Sequence, residues 1–457
     1  MVLAAASSLV LLARQKPGRA DLVLWTFAES HARSFRGDST TTGPTLVDQF
    51  KAATGKSVDV VLMNNNAMNI RLNALFDREA RDQAGPDLVE IEIGSVGRYF
   101  RPPLDMVGLL PLNDYLKQSG WGEKLLASRL SPWTKDGVVF GIPHDVHPVT
   151  ITYRKDLFDE AGVDLESATT WPAFHQACLR FRDYWATRNN GPRNGPRYAI
   201  EASRNSVDIA VLMLLQQHIN LIDADGKTHF TDPRVARTLV FYAKMVAGPD
   251  RIAGSANPGP NRFAGDFESG SLAALVTPDW RAAYLPKFGP GAAGKARMMA
   301  LPVFDPTTDS PTATWGGTMM SIPRAAKDPD RAWKLIEHLY LSADGQAARQ
   351  KEAMTLPPVV TEWDNPIWHK SDPYFAQQKV GELYITLAKK MPLRQVTPFT
   401  ALAQSTLTLV LGKTVAQVDA GRTQGLEDRV AIWLEEADRE MKLRIAFSRF
   451  EEKSDRE

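Results

Sequence analysis

Three polar side chains, His144, Asp145 and His147, separate two apolar runs of the chain. Imidazole and carboxylate groups donate and accept hydrogen bonds, and histidine changes charge near neutral pH, so such a cluster is suited to holding a polar ligand. The flanking runs, 138–142 and 149–153, are rich in β-branched residues, which predicts a short strand on each side. We therefore expect the cluster to lie in a connection between strands and to face a cleft.

The same histidines raise the question of a metal site, because His144 and His147 have an HxxH spacing. Metal binding ordinarily needs a third ligand, and Pro143 and Pro148 disfavour the helix that would turn both imidazoles to one side. The single cysteine, Cys178, lies in a helical pattern and excludes a cysteine-rich metal site. The sequence therefore predicts neither a metal nor a cofactor.

Two tryptophans lie beside turn residues, where their rings could contact a ligand. Trp280 ends an apolar run after a threonine, a proline and an aspartate, and Trp315 precedes Gly316 and Gly317. Flat aromatic faces pack against the C–H faces of a sugar ring, and glycines allow the backbone to approach a ligand closely. The alternative for each tryptophan is a place in the hydrophobic core. The pattern favours a ligand-binding role for all four residues.

Glu90 and Glu92 form an acid pair on one predicted strand, where residues two apart share a face. A carbohydrate-active enzyme could use such acids, but glycosidases need two carboxyl groups that face each other across the sugar, usually from different strands. The glycines of residues 289–294 have the spacing of a phosphate-binding motif. They do not follow a clear strand or precede a helix, so the motif lacks the structural context that it needs. The lack of a recognisable catalytic motif favours binding over turnover, so no enzyme activity is predicted.

The elements that must position these residues begin with alternating strands and helices. Apolar runs predict strands at 21–26, 58–63 and 88–93, and helical spacing predicts helices at 46–53 and 70–80. This order requires parallel strands joined by helical crossovers, which is a doubly wound α/β lobe. In such a sheet, ligands lie beyond the carboxyl ends of the strands. The side chains expected there are Phe27, Glu29, Ser30, Asn64, Asn65 and Glu92.

The rest of the chain is predicted to build a second lobe and then return to the first. Residues 156–300 are mainly helical, and one helix is expected to start after Thr170, because a threonine cap is followed by Pro172 in the first turn. A strand at 319–322 and a helix at 329–341 follow. This order predicts two lobes built from discontinuous segments.

Chain length and net charge indicate the number of domains and limit the class of partner. Its 457 residues are 44% hydrophobic, which is enough for two domains. The formal net charge is +1, and a near-neutral chain argues against nucleic acid as a partner, because phosphate binding needs a concentrated basic face.

The start of the chain has the pattern of an export segment. Residues 2–13 are an apolar run of signal-peptide length, and Gly18 and Ala20 are small residues placed before a predicted cut at Asp21. Residues 1–20 are therefore predicted to be a signal peptide or an N-terminal anchor, with a buried N-terminal helix as the alternative.

Five ordered segments carry a resemblance to a known family. They are GPDLVEIEIGSV (85–96), DGVVFGIPHDVHPVTITYRKDLFDEAGVD (136–164), FESGSLAALVTPDW (267–280), WGGTMMSIPRAAKDPDRAWKLIEHL (315–339) and TLPP (355–358). Together they resemble the extracellular solute-binding proteins of bacterial sugar importers, which feed ABC transporters and include maltose-type and trehalose-type binders. The resemblance implies an α/β fold of the type II periplasmic-binding-protein kind, with two lobes around a ligand cleft.

The resemblance also implies how the chain is divided and what it does. Residues 21–144 and 306–357 are expected to form the first lobe, and residues 145–305 and 358–457 the second. A monomer in the periplasm or on the extracellular face of the membrane would capture a carbohydrate by hinge closure and deliver it to the membrane subunits of an ABC importer.

Individual residues match positions that the family uses. Glu92 stands where the family commonly has a carboxylate at the end of its third strand, and Arg394 lies in a segment similar to one that crosses near the ligand. Asp145 and His147 lie in the polar turn where relatives commonly have tyrosine or aspartate. A histidine in place of an aromatic residue is a departure from the family, and it indicates pH-dependent affinity.

Three alternatives remain open at the level of sequence. The same fold could bind another solute, such as a phosphorylated polyol or a polyamine. A carbohydrate-active enzyme could use Glu90 or Glu92. A sensory receptor could present its closed form to a signalling partner.

Overall fold

The computed structural model describes residues 20–76, 85–101, 103–188, 195–259 and 261–454, with side chains described as far as residue 448. The predicted export segment, residues 1–20, lies outside the described residues except for Ala20. Within the described part of the chain, no helix is both long enough and apolar enough to cross a membrane.

Twelve strands lie in the described residues. They are β1 (Leu22–Thr26), β2 (Val58–Leu62), β3 (Leu88–Glu92), β4 (Thr134–Lys135), β5 (Val138–Val139), β6 (Ile142–Pro143), β7 (Val149–Arg154), β8 (Ile200–Glu201), β9 (Ala253–Gly254), β10 (Ala274–Pro278), β11 (Ala296–Ala300) and β12 (Thr318–Ser321).

Eighteen α-helices lie in the same described ranges. They are α1 (Glu29–Arg36), α2 (Leu46–Thr54), α3 (Asn65–Phe76), α4 (Ile93–Val96), α5 (Asn113–Ser119), α6 (Ala127–Leu130), α7 (Lys155–Glu160), α8 (Trp171–Ala186), α9 (Asp208–Gln216), α10 (Pro233–Val246), α11 (Arg262–Ser269), α12 (Asp279–Ala282), α13 (Leu285–Phe288), α14 (Pro329–Ile336), α15 (Ala343–Ala353), α16 (Val380–Ala388), α17 (Thr400–Asp419) and α18 (Leu426–Ser454). A π-helical turn, Glu337–Leu341, continues α14.

The first lobe is built on a five-stranded sheet with the strand order β2-β1-β3-β12-β6. β1 runs parallel to both neighbours, with Leu24 opposite Val60 of β2 and Leu88 of β3. The predicted parallel pairing of the first three strands is therefore confirmed. β12 pairs antiparallel with β3 and with β6, so a late segment of the chain returns to the first lobe.

Capping side chains determine where helices around this sheet begin and end. Thr45 and Asp48 form a reciprocal capping box at the start of α2, and Gly55 ends that helix in the left-handed conformation, with φ +73°. The predicted start of α3 at residue 70 is wrong, because the helix begins at Asn65. The Asn64 side chain accepts hydrogen bonds from backbone N–H groups of its first turn.

The second lobe combines a small sheet with long helices. β7 lies between β10 and β11, antiparallel to both. α8 starts as predicted, with the Thr170 hydroxyl accepting the backbone N–H of Ala173 at 3.3 Å. The main core of this lobe is formed by β7 and β10 together with α8, α9, α10, α17 and α18, and Cys178 is fully buried in it. The predicted helical middle is therefore confirmed.

The predicted strand 138–142 is wrong in its extent. β5 pairs with β4 in a two-stranded ribbon, whereas β6 joins the five-stranded sheet beside β12. Gly141 separates the two strands and lies against Met319 of β12, where a Cβ would overlap the methionine side chain. The chain therefore changes its strand partner at Gly141.

Three segments pass between the lobes and lie side by side. They are the first crossing (residues 144–148, between β6 and β7), the second crossing (314–317, before β12) and the third crossing (355–358, after α15). The backbone N–H of His144 donates to the oxygen of Thr318 at 2.9 Å, and that of Val146 donates to the oxygen of Leu356 at 2.9 Å. The crossings are therefore bonded to each other as well as to the lobes.

Candidate functional site

Trp280 and Trp315 meet at the junction of the lobes. Trp280 lies in the first turn of α12, directly after β10, and its indole N–H donates to the backbone oxygen of Trp315, 3.2 Å away. Trp315 belongs to the second crossing, and the guanidinium of Arg281 lies over its ring at 5.8 Å from the centroid. Both tryptophans are half-buried. A hydrogen bond from one indole to the other residue's backbone therefore joins the two tryptophans, which we call the tryptophan pair.

Gly316 and Gly317 follow this pair with φ values of +81° and +129°, a region that favours glycine. A Cβ on Gly316 would stand 3.1 Å from the indole nitrogen of Trp280, and a Cβ on Gly317 would overlap the guanidinium of Arg129. The protein's own side chains thus exclude a Cβ at Gly317 and leave little room for one at Gly316. The expected contact of these glycines with a ligand stays a prediction.

A buried set of charges links the first crossing to Trp280. Nδ1 of His147 lies 2.5 Å from an oxygen of Asp279, and Nε2 lies 2.8 Å from an oxygen of Asp145. The second oxygen of Asp279 accepts the backbone N–H of Leu356 in the third crossing, at 2.9 Å. The three ionisable residues are buried, with His147 only 5% exposed. We call Asp145, His147 and Asp279 the His147 bridge.

Arg129, on α6 of the first lobe, joins the His147 bridge to the second crossing. Its Nε donates to the backbone oxygen of Asp145 at 2.6 Å, and Nη1 donates to the hydroxyl of Thr314 at 2.8 Å. Nη2 donates to the backbone oxygen of Gly316 at 3.2 Å and pairs with the Asp145 carboxylate at 3.3 Å. One fully buried guanidinium therefore holds two crossings together.

The surroundings shift the pKa values of the two histidines in the first crossing in opposite directions. Burial alone would lower the pKa of His147, but the charges of Asp145 and Asp279 outweigh it and raise that pKa to about 9. Burial would raise the pKa of Asp145, but the charge of His147 and hydrogen bonds from both histidines hold it well below its usual range. Burial, together with neighbouring basic groups, lowers the pKa of His144 well below its ordinary value. At neutral pH His147 is therefore a cation and His144 is neutral.

Glu90 serves the core of the first lobe and does not face the cleft. It is fully buried and accepts hydrogen bonds from Thr26, His31 and Tyr340. Glu92 instead caps α4, where it accepts the backbone N–H of the second helical residue at 2.7 Å. The two carboxylates do not face each other across an open space, so this arrangement gives no support to the enzyme alternative.

Glu92 and Arg394 lie close enough to each other to interact electrostatically. Burial raises the pKa of Glu92, and burial lowers the pKa of Arg394 to about 10. Arg394 donates from Nη1 to the backbone oxygen of Thr314 at 3.2 Å. Both predicted residues therefore lie near the second crossing, and Arg394 reaches the residue that precedes Trp315.

The remaining predicted residues lie on the first lobe. Phe27 packs against the first-lobe core and is half-buried, and Ser30 is half-buried in α1. Glu29 is exposed and forms its ion pair within α1. Asn64 and Asn65 bond locally, since Asn64 caps α3 and the side-chain oxygen of Asn65 accepts from a residue one turn later. The described hydrogen bonds of the two asparagines thus stay within α3 and do not join them to the tryptophan pair.

The described residues contain one group with spacing suited to a metal ion, namely His31, His144 and Asp145. Both ring nitrogens of His144 already have partners, Nδ1 in Asp145 at 2.8 Å and Nε2 in Arg349 at 3.2 Å. The ring of His31 stacks on that of His144 at 3.7 Å between centroids, so the rings lie face to face. This geometry, with a guanidinium beside it, gives no support to a metal site.

Sequence reasoning missed several residues of the junction. Arg129, Arg349 and His31 lie in segments without a distinctive pattern, and only their tertiary contacts reveal them. Asp279 could have been found, because it directly precedes Trp280 at the end of a strand. Tyr284 of the second lobe lies within electrostatic range of two α1 side chains, Arg33 and Glu29.

The fold and the junction together define the class of protein. Two α/β lobes, three adjoining crossings, and aromatic and charged side chains gathered between them are the features of a two-lobed solute-binding protein. The family model for bacterial extracellular solute-binding proteins matches residues 45–377, and the chain belongs to this family. The fold and the family that the sequence segments predicted are therefore confirmed.

Curated relatives and solved structures agree with this assignment. The arabinooligosaccharide-binding protein of Halalkalibacterium halodurans is 22% identical over 366 residues, which cover 78% of this chain and 76% of that protein. The Bacillus subtilis protein of the same name is 20% identical over 340 residues, covering 72% of this chain and 71% of that protein.

Two solved structures illustrate the shared fold. The ABC transporter associated binding protein of B. animalis subsp. lactis, in complex with beta-1,6-galactobiose, has a TM-score of 0.68 at 20% identity, covering 93% of this chain and 98% of its own. The sugar-binding protein MalE of Xanthomonas citri has a TM-score of 0.68 at 21% identity, covering 91% and 97%. At these identities the likeness concerns the fold.

Proposed function

We propose that this protein captures a carbohydrate, either a sugar or an oligosaccharide, between its lobes and delivers it to the membrane subunits of an ABC-type importer. The observation that carries the proposal is the tryptophan pair, half-buried at the lobe junction. Indole faces suit the C–H faces of a sugar, and nearby charged groups and backbone amides suit its hydroxyls. Relatives named for arabino-oligosaccharides and a neighbour in complex with galactobiose support the same class of solute.

The proposed mechanism is hinge closure around the solute. Contacts from both lobes favour the closed state, which the membrane subunits then recognise. Trp280 would pack on a sugar face from the second lobe, and the junction would add its polar groups. The residues proposed to form the solute site, either by contact with the solute or by positioning the residues that contact it, are Phe27, Glu29, Ser30, Asn64, Asn65, Glu92, Asp145, His147, Trp280, Trp315, Gly316, Gly317 and Arg394.

The proposed division of the chain follows its packing. Residues 21–144 and 306–357 would form the first lobe, and residues 145–305 and 358–457 the second. β12 and α15 pack with the first lobe, which supports the second segment of that lobe. Ala313 packs in the second-lobe core, which favours a crossing nearer residue 314 than 306.

The proposal extends to location and partners. Membership of an extracellular family supports an exported protein that works in the periplasm or on the outer face of the cell membrane. It would act as a monomer and bind without turnover, with the importer as its protein partner and no nucleic acid.

A thermal-shift screen tests the class of solute. The panel contains arabinotriose, beta-1,6-galactobiose and maltotriose, with ribitol, glycerol 3-phosphate and spermidine representing the other solute classes. A ligand at 100 times its Kd stabilises the folded state by about 2.7 kcal/mol, so a saccharide should raise Tm and the others should not.

Two results would contradict the proposal. One is a rise in Tm with spermidine or glycerol 3-phosphate but with no saccharide. The other is the appearance of shorter saccharides during prolonged incubation, lost in Glu92→Gln, which would establish the enzyme alternative.

A further inference from the structure

His147 has an unusual place among the buried histidines of the junction. Each of its two ring nitrogens lies against a carboxylate oxygen, Nδ1 against Asp279 at 2.5 Å and Nε2 against Asp145 at 2.8 Å. Ionised carboxylates accept hydrogen bonds and do not donate them, so a proton on each ring nitrogen suits both contacts. The two contacts therefore favour the imidazolium form of His147.

The surrounding charges lead to the same conclusion. His147 lies between two buried acids, Asp145 and Asp279, and the buried guanidinium of Arg129 also pairs with Asp145. An imidazolium at His147 gives Asp279 a cationic partner within the bridge. Since an uncompensated buried charge is strongly destabilising, the protonated ring is part of what keeps the two carboxylates of the bridge together.

The bridge ends at a residue of the proposed solute site. One oxygen of Asp279 accepts both His147 Nδ1–H and the backbone N–H of Trp280, the latter at 2.7 Å. The Trp280 indole then donates to the backbone oxygen of Trp315. A continuous chain of hydrogen bonds therefore runs from His147 through Asp279 to the tryptophan pair.

The backbone at His147 lies in the left-handed region. Its φ is +60°, a conformation that non-glycine residues rarely adopt. The two carboxylate contacts accompany this conformation at His147, whereas His218 adopts the same φ without them.

We propose that His147 is a positioning residue of the solute cleft: its imidazolium, held between Asp145 and Asp279, keeps Trp280 against the second crossing and thereby sets the affinity for the solute. The statement about affinity rests on the proposed function, whereas the statement about Trp280 does not. Loss of the ring charge leaves two buried carboxylates without their shared cation, so the end of β10 separates from the first crossing and Trp280 loses its fixed orientation.

The groups around the bridge determine its dependence on pH. His147 contacts two carboxylates, that of Asp145 in the first crossing and that of Asp279 in α12. Asp145 also pairs with Arg129 of α6 and with His144. The pKa of His147 is raised to about 9, so the ring keeps its charge at neutral pH and loses it in alkaline solution. Solute affinity should therefore fall as the pH rises past that value.

The test compares His147→Asn with a matched control, His218→Asn. His218 has the same φ of +60°, is exposed, and contacts only the backbone oxygen of Thr308 through its ring in the described structure. Asparagine tolerates this backbone conformation but cannot bridge two carboxylates as a cation. Hydrogen exchange of the Trp280 indole N–H, followed by NMR and assigned with Trp280→Phe, should be about tenfold faster in His147→Asn. The control should match the parent, and equal exchange in the two variants would overturn the proposal.

A second measurement uses the unsubstituted protein, in case His147→Asn does not fold. The protection of the Trp280 indole N–H, relative to the same proton in an unfolded peptide at each pH, should fall between about pH 8 and pH 10 together with the NMR titration of the His147 ring. Constant protection while His147 titrates would overturn the proposal.

Calorimetry with arabinotriose then connects this proposal to affinity. If arabinotriose binds, His147→Asn should weaken it by about tenfold and His218→Asn should not. If no saccharide binds, the proposed function fails, while the exchange measurements, which need no sugar, still decide the role of His147.

Discussion

Trp280 is held in place by two hydrogen bonds and still exposes part of its ring. Its backbone N–H and its indole N–H are both engaged, the first by Asp279 at 2.7 Å and the second by Trp315 at 3.2 Å. The hydrogen bonds fix the ring without covering it completely, because the residue is only half-buried. A ring held in this way can pack on a sugar without losing much conformational freedom on binding.

We expect Trp280→Ala to weaken saccharide binding by tenfold or more. An aromatic contact is worth about 1.5 kcal/mol, which corresponds to that factor in Kd. Isothermal titration calorimetry with the saccharide found in the thermal screen measures the change. Trp121→Ala is the control, since the Trp121 indole bonds to Glu337 on the first lobe, away from the junction. Unchanged affinity in Trp280→Ala would remove this residue from the site.

We also expect stability to decrease in alkaline solution because of His147. Its pKa is raised from 6.5 to about 9 in the folded state, so the folded protein binds this proton more tightly than the unfolded chain does. The resulting stabilisation is complete below about pH 6.5 and is lost as the pH rises to about 9, a decrease of roughly 3 kcal/mol in the free energy of unfolding. Urea denaturation across this range measures it, and His147→Asn should show a smaller decrease. An equal decrease in both proteins would assign the effect to other groups.

At the level of the secondary-structure elements, the three crossings form a compact junction rather than three independent linkers. The backbone of the second crossing lies so close to its neighbours that a Cβ on Gly317 would overlap Arg129 and one on Gly316 would stand 3.1 Å from the Trp280 indole nitrogen. Arg129 in turn bonds to the first and second crossings. The geometry of each crossing therefore depends on its neighbours.

We expect Gly317→Ala to destabilise the protein by about 3 kcal/mol or more. The added Cβ would overlap the buried guanidinium of Arg129, and the φ of +129° is unfavourable for alanine. Gly120→Ala at the end of α5 is a matched control, because Gly120 has φ +71° and an added Cβ there would meet no described atom within 4 Å. The control should cost about 1 kcal/mol in the free energy of unfolding, measured by urea denaturation. Similar losses in the two variants would mean that the junction accommodates the methyl group.

Across the molecule as a whole, the two lobes are joined at a junction whose crossings bond to each other. Tyr284 on the second lobe and Glu29 on the first lobe are within electrostatic range, although they belong to different lobes. In the proposed mechanism the lobes rotate about the junction, and a solute that contacts both lobes favours the closed form.

We expect the radius of gyration to decrease when the solute binds. Small-angle X-ray scattering with and without a saturating saccharide measures it, at the same pH and protein concentration. Trp280→Ala at the same saccharide concentration is the control and should change less. A bound saccharide that leaves the scattering curve unchanged would argue against hinge closure as the mechanism.

The family was predicted from the resemblance of ordered segments, whereas local patterns in the sequence were enough to predict the parallel strands of the first lobe, the helical middle and the cap at Thr170. These features depend on hydrophobic periodicity and on turn and cap chemistry, which act between residues close in the chain. The same patterns singled out Trp280, Trp315, Asp145 and His147 as candidates. They misjudged the strand at 138–142, because the chain changes partner at Gly141, from β4 to the distant strand β12.

The connections between the candidates follow from tertiary packing alone. His147 meets Asp279 across 132 positions of the chain, and Arg129 meets Thr314 across 185. No local pattern records such contacts, because they arise when segments of two lobes pack together at the crossings. For the same reason the protonation of His147 could not be predicted from its neighbours in sequence: it depends on a second carboxylate that only the fold brings to the ring.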